Sequence, residues 1–132
     1  MNAERFRSSV AYASEKLDGA LGSDFKGIGI VPGTGWAEGI NKAFRMEDHT
    51  KMVPYRDLGI PGADLVVEGH SKVLRAGHID NRSIFVLGRV HPNEDITNPD
   101  LRQSMAILIE ALRTHLTGLI TTSGVGSLHG PI

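Results

Sequence analysis

Three short stretches of this chain combine residue types and spacings that suit one kind of chemistry, the holding of an oxyanion. The first is Gly33-Thr34-Gly35, which follows the apolar run Gly27-Ile28-Gly29-Ile30-Val31 and Pro32. Proline cannot donate to a sheet ladder and ends a strand there. The two glycines let a ligand approach bare backbone, and Thr34 between them can aim its N–H and its hydroxyl at one point. The second stretch is Gly88-Arg89-Val90-His91, a guanidinium and an imidazole after the apolar run Ile84-Phe85-Val86-Leu87. The third is Ser123-Gly124-Val125-Gly126-Ser127, a glycine-spaced hydroxyl loop after Leu119-Ile120-Thr121-Thr122. Together they offer N–H groups, hydroxyls, one fixed cation and one switchable ring, and their natural ligand is phosphate.

Each stretch has a plainer reading when taken singly. A glycine pair after a strand makes a tight turn, and an arginine at a strand end is solvated or salt-bridged. Three loops of the same chemical kind at three strand ends outweigh that reading only if one edge of a sheet collects them. The surrounding elements must do the collecting.

Asn2 to Leu21 reads as a helix, with Phe6, Val10, Ala13, Leu17 and Leu21 on one face, Asn2 as cap and Gly22 as stop. Gly27–Val31 is a first strand and Trp36 to Phe44 a short helix. Thr50 to Tyr55 is a short strand that Pro54 makes either an edge or an ending. Asp57 to Pro61 reads as loop and Asp64 to Glu68 as a further strand. Lys72–Gly77 and Ser83–Gly88 form a hairpin across residues 78–82, with Ile84–Leu87 a central strand. Asn98 caps and Pro99 opens a helix whose apolar face is Leu101, Met105, Leu108, Ile109, Leu112 and Leu116. Leu119 to Thr122 is a third core strand. Helices alternating with strands predict an α/β fold, in which ligands sit beyond the carboxyl ends of the strands. If the three core strands are parallel neighbours, the three loops meet at one edge.

Composition narrows the function classes. The chain has 132 residues, one domain (1–132) by size, with 40% hydrophobic and 22% charged residues, an ordinary globular balance. A net charge of −1 without a basic run argues against a nucleic-acid surface, and no apolar run approaches a membrane span. There is no cysteine, which removes disulfides and thiolate chemistry and fits a cytoplasmic protein. No G-x-x-x-x-G-K-[ST] loop is present, and Gly33-x-Gly35-x-x-x-Gly39 misses the dinucleotide fingerprint by one place. The six histidines lack metal-ligand spacing, so no metal or organic cofactor is expected; His49, His78 and His115 read as surface residues.

The ordered series Gly33-Thr34-Gly35, Gly69-His70, Gly88-Arg89-Val90-His91-Pro92-Asn93-Glu94 and Thr122-Ser123-Gly124-Val125-Gly126-Ser127-Leu128 resembles the trimeric purine nucleoside phosphorylase family. That family shows G-S-G, G-H-x-G, Q-G-R-x-H-x-Y-E and T-N-A-A-G-G-L-N at similar spacings. The resemblance runs from residue 27 onward and implies a three-layer fold with a mixed sheet flanked by helices. It implies phosphorolysis of purine (deoxy)nucleosides to free base and (deoxy)ribose 1-phosphate, with phosphate as co-substrate and a homotrimer as the assembly. It also implies roles: Thr34, Arg89, His91 and Gly124 on phosphate, His91 as the catalytic residue, and His70 and Asn93 near the ribose.

The departures are specific. Asn93 stands where the family has a tyrosine, Ser123-Gly124-Val125 replaces N-A-A, and Ser71-Lys72 follows Gly69-His70 where a small residue and glycine are usual. By this resemblance the chain corresponds to the N-terminal half of such an enzyme, and the family's purine-recognising half has no counterpart in this sequence. Three functions follow as alternatives: a phosphorylase, a phosphate or sugar-phosphate binding module without chemistry, or an oligomerising remnant.

Overall fold

A computed structural model describes residues 1–33, 39, 42, 51–66 and 72–121. Helix α1 (Ala3–Leu21) begins where Asn2 accepts the Arg5 N–H on Oδ1 at 2.8 Å and carries Glu4 in its first turn. It ends at Gly22, whose φ of 84° favours a residue without a Cβ and whose N–H donates to the Asp18 carbonyl. Ala13, Leu17 and Leu21 are buried, with Phe6 and Val10 packed beside them, so the expected apolar face is the face that docks.

The sheet contains β1 (Gly27–Val31), β2 (Lys51–Pro54), β3 (Val73–Ile79), β4 (Arg82–Leu87) and β5 (Leu116–Thr121) in the order β2-β3-β4-β1-β5. Strands β2, β3 and β4 pair antiparallel, whereas β4, β1 and β5 run parallel. The class is therefore α/β with a mixed sheet. Burial alternates along β1: Gly27, Gly29 and Val31 are buried, and Ile28 and Ile30 half-buried. A Cβ on Gly29 would lie 2.9 Å from Leu116 Cδ2 and 3.0 Å from Leu119 Cδ1, and one on Gly27 would strike the Ser83 carbonyl. Glycine in this strand lets β4 and the side chains of β5 close around it.

Helix α2 (Ser104–Ala111) shares one apolar cluster with α1 and with Val31, Val53, Leu74, Phe85 and Leu87 of the sheet, so both helices cover the same face. Ile84 and Val86 form a second cluster with Ile30 and Ile79. Among the described residues no helix is long and apolar enough to cross a membrane.

Several expectations change. The predicted loop from Asp57 begins inside a 3-10 turn, Tyr55–Leu58, closed by left-handed Gly59; burial of Tyr55, Leu58 and Ile60 holds it to the core. Residues 64–66 of the predicted strand 64–68 belong to no strand among the described residues, and Val66 is solvent-exposed. The hairpin strands run further than expected, to Ile79 and Arg82, leaving a two-residue turn. Asp80 (φ 51°) and Asn81 (φ 66°) there match the right-handed twist of the strands. The helix opened by Asn98 and Pro99 is a 3-10 segment over Pro99–Gln103 before it becomes α2. It stops by Leu112 because Leu116 already belongs to β5. Among the described strands β5 lies at the edge, with Leu119 and Ile120 exposed, where a core strand was expected. Trp36 to Phe44 lies outside the described residues except for positions 39 and 42.

Candidate functional site

Parallel pairing decides where the strand ends go. Ile30 is in register with Val86 and Val31 with Thr121, so β1, β4 and β5 finish on the same edge of the sheet. Gly33 and Gly88 follow two of those strand ends, and the three strands are the parallel neighbours that the shared-edge expectation required. Thr34, His70 and Gly124 lie outside the described residues, as does His49. Arg89, His91 and Asn93 are described, and all three follow the carboxyl end of β4.

The chain leaving β4 is held at four successive residues. Tyr55, fully buried, donates its hydroxyl to the Gly88 carbonyl at 2.5 Å. Burial holds that phenol far above the usual phenol range, so it keeps its proton and remains a donor. Lys72 Nζ donates to the Arg89 carbonyl at 3.1 Å. Val90 is 4% exposed and packs in the core beside Leu101 and Leu87. The His91 N–H donates to Glu94 Oε2 at 2.8 Å.

His91 and Glu94 form a reciprocal cap around the 3-10 turn Pro92–Glu94, in which the His91 side chain also accepts from the Glu94 N–H. A ring nitrogen that accepts a hydrogen bond carries no proton, so the neutral imidazole must hold its proton on the other nitrogen. Asn93 is exposed on the same turn, lining a surface depression with Ile96, Asn98 and Arg102.

Glu94 closes the arrangement. Its side chain is 2% exposed and pairs with Lys72, Nζ to Oε1 at 2.5 Å; the Lys72 side chain is 10% exposed. From the sequence, Lys72 stands out only as the start of a strand and as a departure from a family pattern, and Tyr55 only as the end of a strand. The only signal for the first pair was the acidic residue at the end of the Arg89–Glu94 series. Among the described residues no three His, Asp or Glu side chains converge to hold a metal ion.

His115 is a correction. It is 1% exposed, with Nδ1 2.6 Å from the Phe25 carbonyl oxygen and Nε2 2.8 Å from Asp18 Oδ1, and the Phe85 ring meets it edge-on. It joins the end of α1 to the start of β5 and lies at the opposite, amino end of the parallel strands. Its carbonyl accepts the Gly27 N–H, which places it beside the first residue of β1. His78 is half-buried against Phe25.

The main chain that carries Arg89 and His91 is therefore fixed residue by residue, at an edge shared with two other strand ends. No protein-family model and no curated protein sequence matches this chain.

Proposed function

We propose that the protein is a purine nucleoside phosphorylase-like chain that binds phosphate at the shared edge of β1, β4 and β5. In this reading Thr34, Arg89, His91 and Gly124 hold the phosphate, and His70 and Asn93 stand near the ribose. The single observation that carries it is the parallel order β4-β1-β5. That order supports the reading because the carboxyl ends of the three strands that precede the glycine- or arginine-bearing loops share one edge.

Phosphorolysis would use the site as follows. A phosphate oxygen attacks the anomeric carbon as the carbon–nitrogen bond to the purine breaks. The base leaves with the bonding electrons and is protonated, and the sugar keeps the phosphate. The transition state is oxocarbenium-like, so a phosphate gripped beneath the sugar stabilises it and is already aligned for attack. Arg89 suits a bidentate grip on two oxygens, and His91 donates to a third. The same reading makes the protein a cytoplasmic homo-oligomer, a trimer by family resemblance, that uses phosphate as co-substrate and needs no cofactor.

The test is calorimetry with inorganic phosphate and with ribose 1-phosphate, alongside phosphate-dependent release of hypoxanthine from inosine. Removing a charge-assisted bidentate contact costs about 1.5–3 kcal/mol, so Arg89→Ala is expected to weaken phosphate binding by roughly 10- to 100-fold. Binding with turnover supports the phosphorylase. Binding without turnover makes the chain a phosphate or sugar-phosphate module. Absence of heat for either ligand refutes the site.

A further inference from the structure

A buried carboxylate beside an anion site demands an explanation. Glu94 is nearly inaccessible, and a buried charge persists only when it is paired and hydrogen-bonded. Lys72 meets that need, although it stands at the start of β3 and Glu94 lies beyond the end of β4. Antiparallel pairing of Leu74 with Leu87 brings those two ends together. The Lys72 backbone is itself fixed, its carbonyl accepting the Tyr55 N–H at 2.9 Å.

The pair reaches the backbone on both sides of Val90. Lys72 Nζ divides its protons between Glu94 Oε1 and the Arg89 carbonyl, and Glu94 Oε2 takes the His91 N–H. One cation and one anion thus clamp the two residues that carry the anion-binding side chains. The same two charges also fix the local potential. An oxyanion held by Arg89 and His91 is repelled by Glu94 and attracted by Lys72, and with both present the contributions oppose each other.

We propose that Lys72 and Glu94 form a buried charged brace that sets both the backbone position and the net charge of the Arg89–His91 anion site, with Lys72 as its positioning residue. The electrostatic half of this proposal rests on the phosphate-binding reading above; the backbone half does not.

The two halves predict different signs. Lys72→Met removes the cation that Glu94 pairs with beside the site, and Glu94→Gln, nearly isosteric, removes the counter-charge of Lys72. Each single change destabilises the fold, because each breaks a buried ion pair. Their effects on inorganic phosphate binding are opposite. Lys72→Met weakens it by roughly tenfold, Glu94→Gln tightens it by a similar factor, and Lys72→Met with Glu94→Gln together returns it to within about threefold of the parent protein. A merely structural pair moves both affinities in the same direction as stability.

The experiment is phosphate calorimetry at fixed ionic strength on the full chain and these variants. Hydrogen exchange of the His91 amide is followed in parallel, with Lys72→Arg as the charge-conserving rescue. Opposite affinity shifts and a His91 amide that exchanges at least about tenfold faster in Lys72→Met, restored in Lys72→Arg, establish the brace. Affinity shifts of the same sign, or none, overturn its electrostatic half. Unchanged exchange at His91 overturns its backbone half. If the parent protein binds no phosphate, the proposed function falls and the exchange result alone decides the brace. If Lys72→Met does not fold, the sign of the Glu94→Gln shift decides the electrostatic half, and exchange at His91 in Glu94→Gln decides the other.

Discussion

Tyr55→Phe is the most exacting probe of how the site loop is held. The substitution keeps the ring, its volume and its packing, and removes only the hydroxyl that donates to the Gly88 carbonyl one residue before Arg89. A hydrogen bond of this kind contributes about 1–1.5 kcal/mol net, and withdrawing the donor from a buried carbonyl raises the cost to about 2 kcal/mol. Unfolding entropy near 2.1 cal/mol/K per residue gives about 0.28 kcal/mol/K for a chain of 132 residues. The variant is therefore expected to melt about 7 °C lower at neutral pH. Alkaline pH supplies the sharper test. Burial raises the Tyr55 phenol above its ordinary value, so the folded state keeps the proton that the unfolded chain releases above about pH 10. The unfolded state then binds fewer protons than the native one, and stability falls with rising pH. Tyr55's contribution is fully present below about pH 10 and drains away above it at about 1.4 kcal/mol per pH unit. Phenylalanine cannot ionise, so the two stability curves converge and meet near about pH 11.5. Urea unfolding of both proteins from pH 8 upward, followed by far-ultraviolet circular dichroism, measures the difference directly, and other titrating groups cancel. Parallel curves over that range, or a variant as stable as the parent at pH 8, would refute the reasoning.

Two further substitutions test the scaffold. Asn81→Gly relieves a positive φ of 66° in the β3–β4 turn and is expected to stabilise by about 0.5–1 kcal/mol, read as a higher urea midpoint with an unchanged slope. Asp18→Ala removes one of the two acceptors that meet His115 and is expected to cost about 1–2 kcal/mol. Asp18→Asn keeps a hydrogen bond to the same ring nitrogen and should cost less than half as much; equal losses would show that this contact does not hold α1 to β5.

Local chemistry made much of this legible in advance. Asn2 and Gly22 bracket α1 because capping and left-handed termination are decided within one turn of chain. The β3–β4 hairpin followed from the apolar run Ile84–Leu87 and from Asp80-Asn81, which tolerate positive φ. Pro54 has no N–H to pair, so an edge or an ending was expected, and among the described strands β2 is at the edge and stops at Pro54. Where the reading failed, a distant contact had overridden local preference. Leu116 continues the apolar spacing of the preceding helix, yet pairing beside Gly27 draws it into β5. His115 is polar and close to a helix end, yet Asp18 and Phe25 give it partners in the interior. Tyr55 and Leu58 sit between turn-forming residues, and only the core they meet explains their burial.

The sequence by itself determined the pieces of the candidate site: the residue types at the strand ends and the caps and turns that start and stop the elements. Those depend on interactions within a few residues. The tertiary structure decided two things that no local pattern contains. One is that β1, β4 and β5 are parallel neighbours, which makes a single edge out of three separate strand ends. The other is that Lys72 and Glu94, 22 residues apart, meet in a nearly dry space. Strand order and ion pairing across a sheet are chosen by which arrangement buries apolar surface without stranding a charge, and that choice belongs to the whole chain.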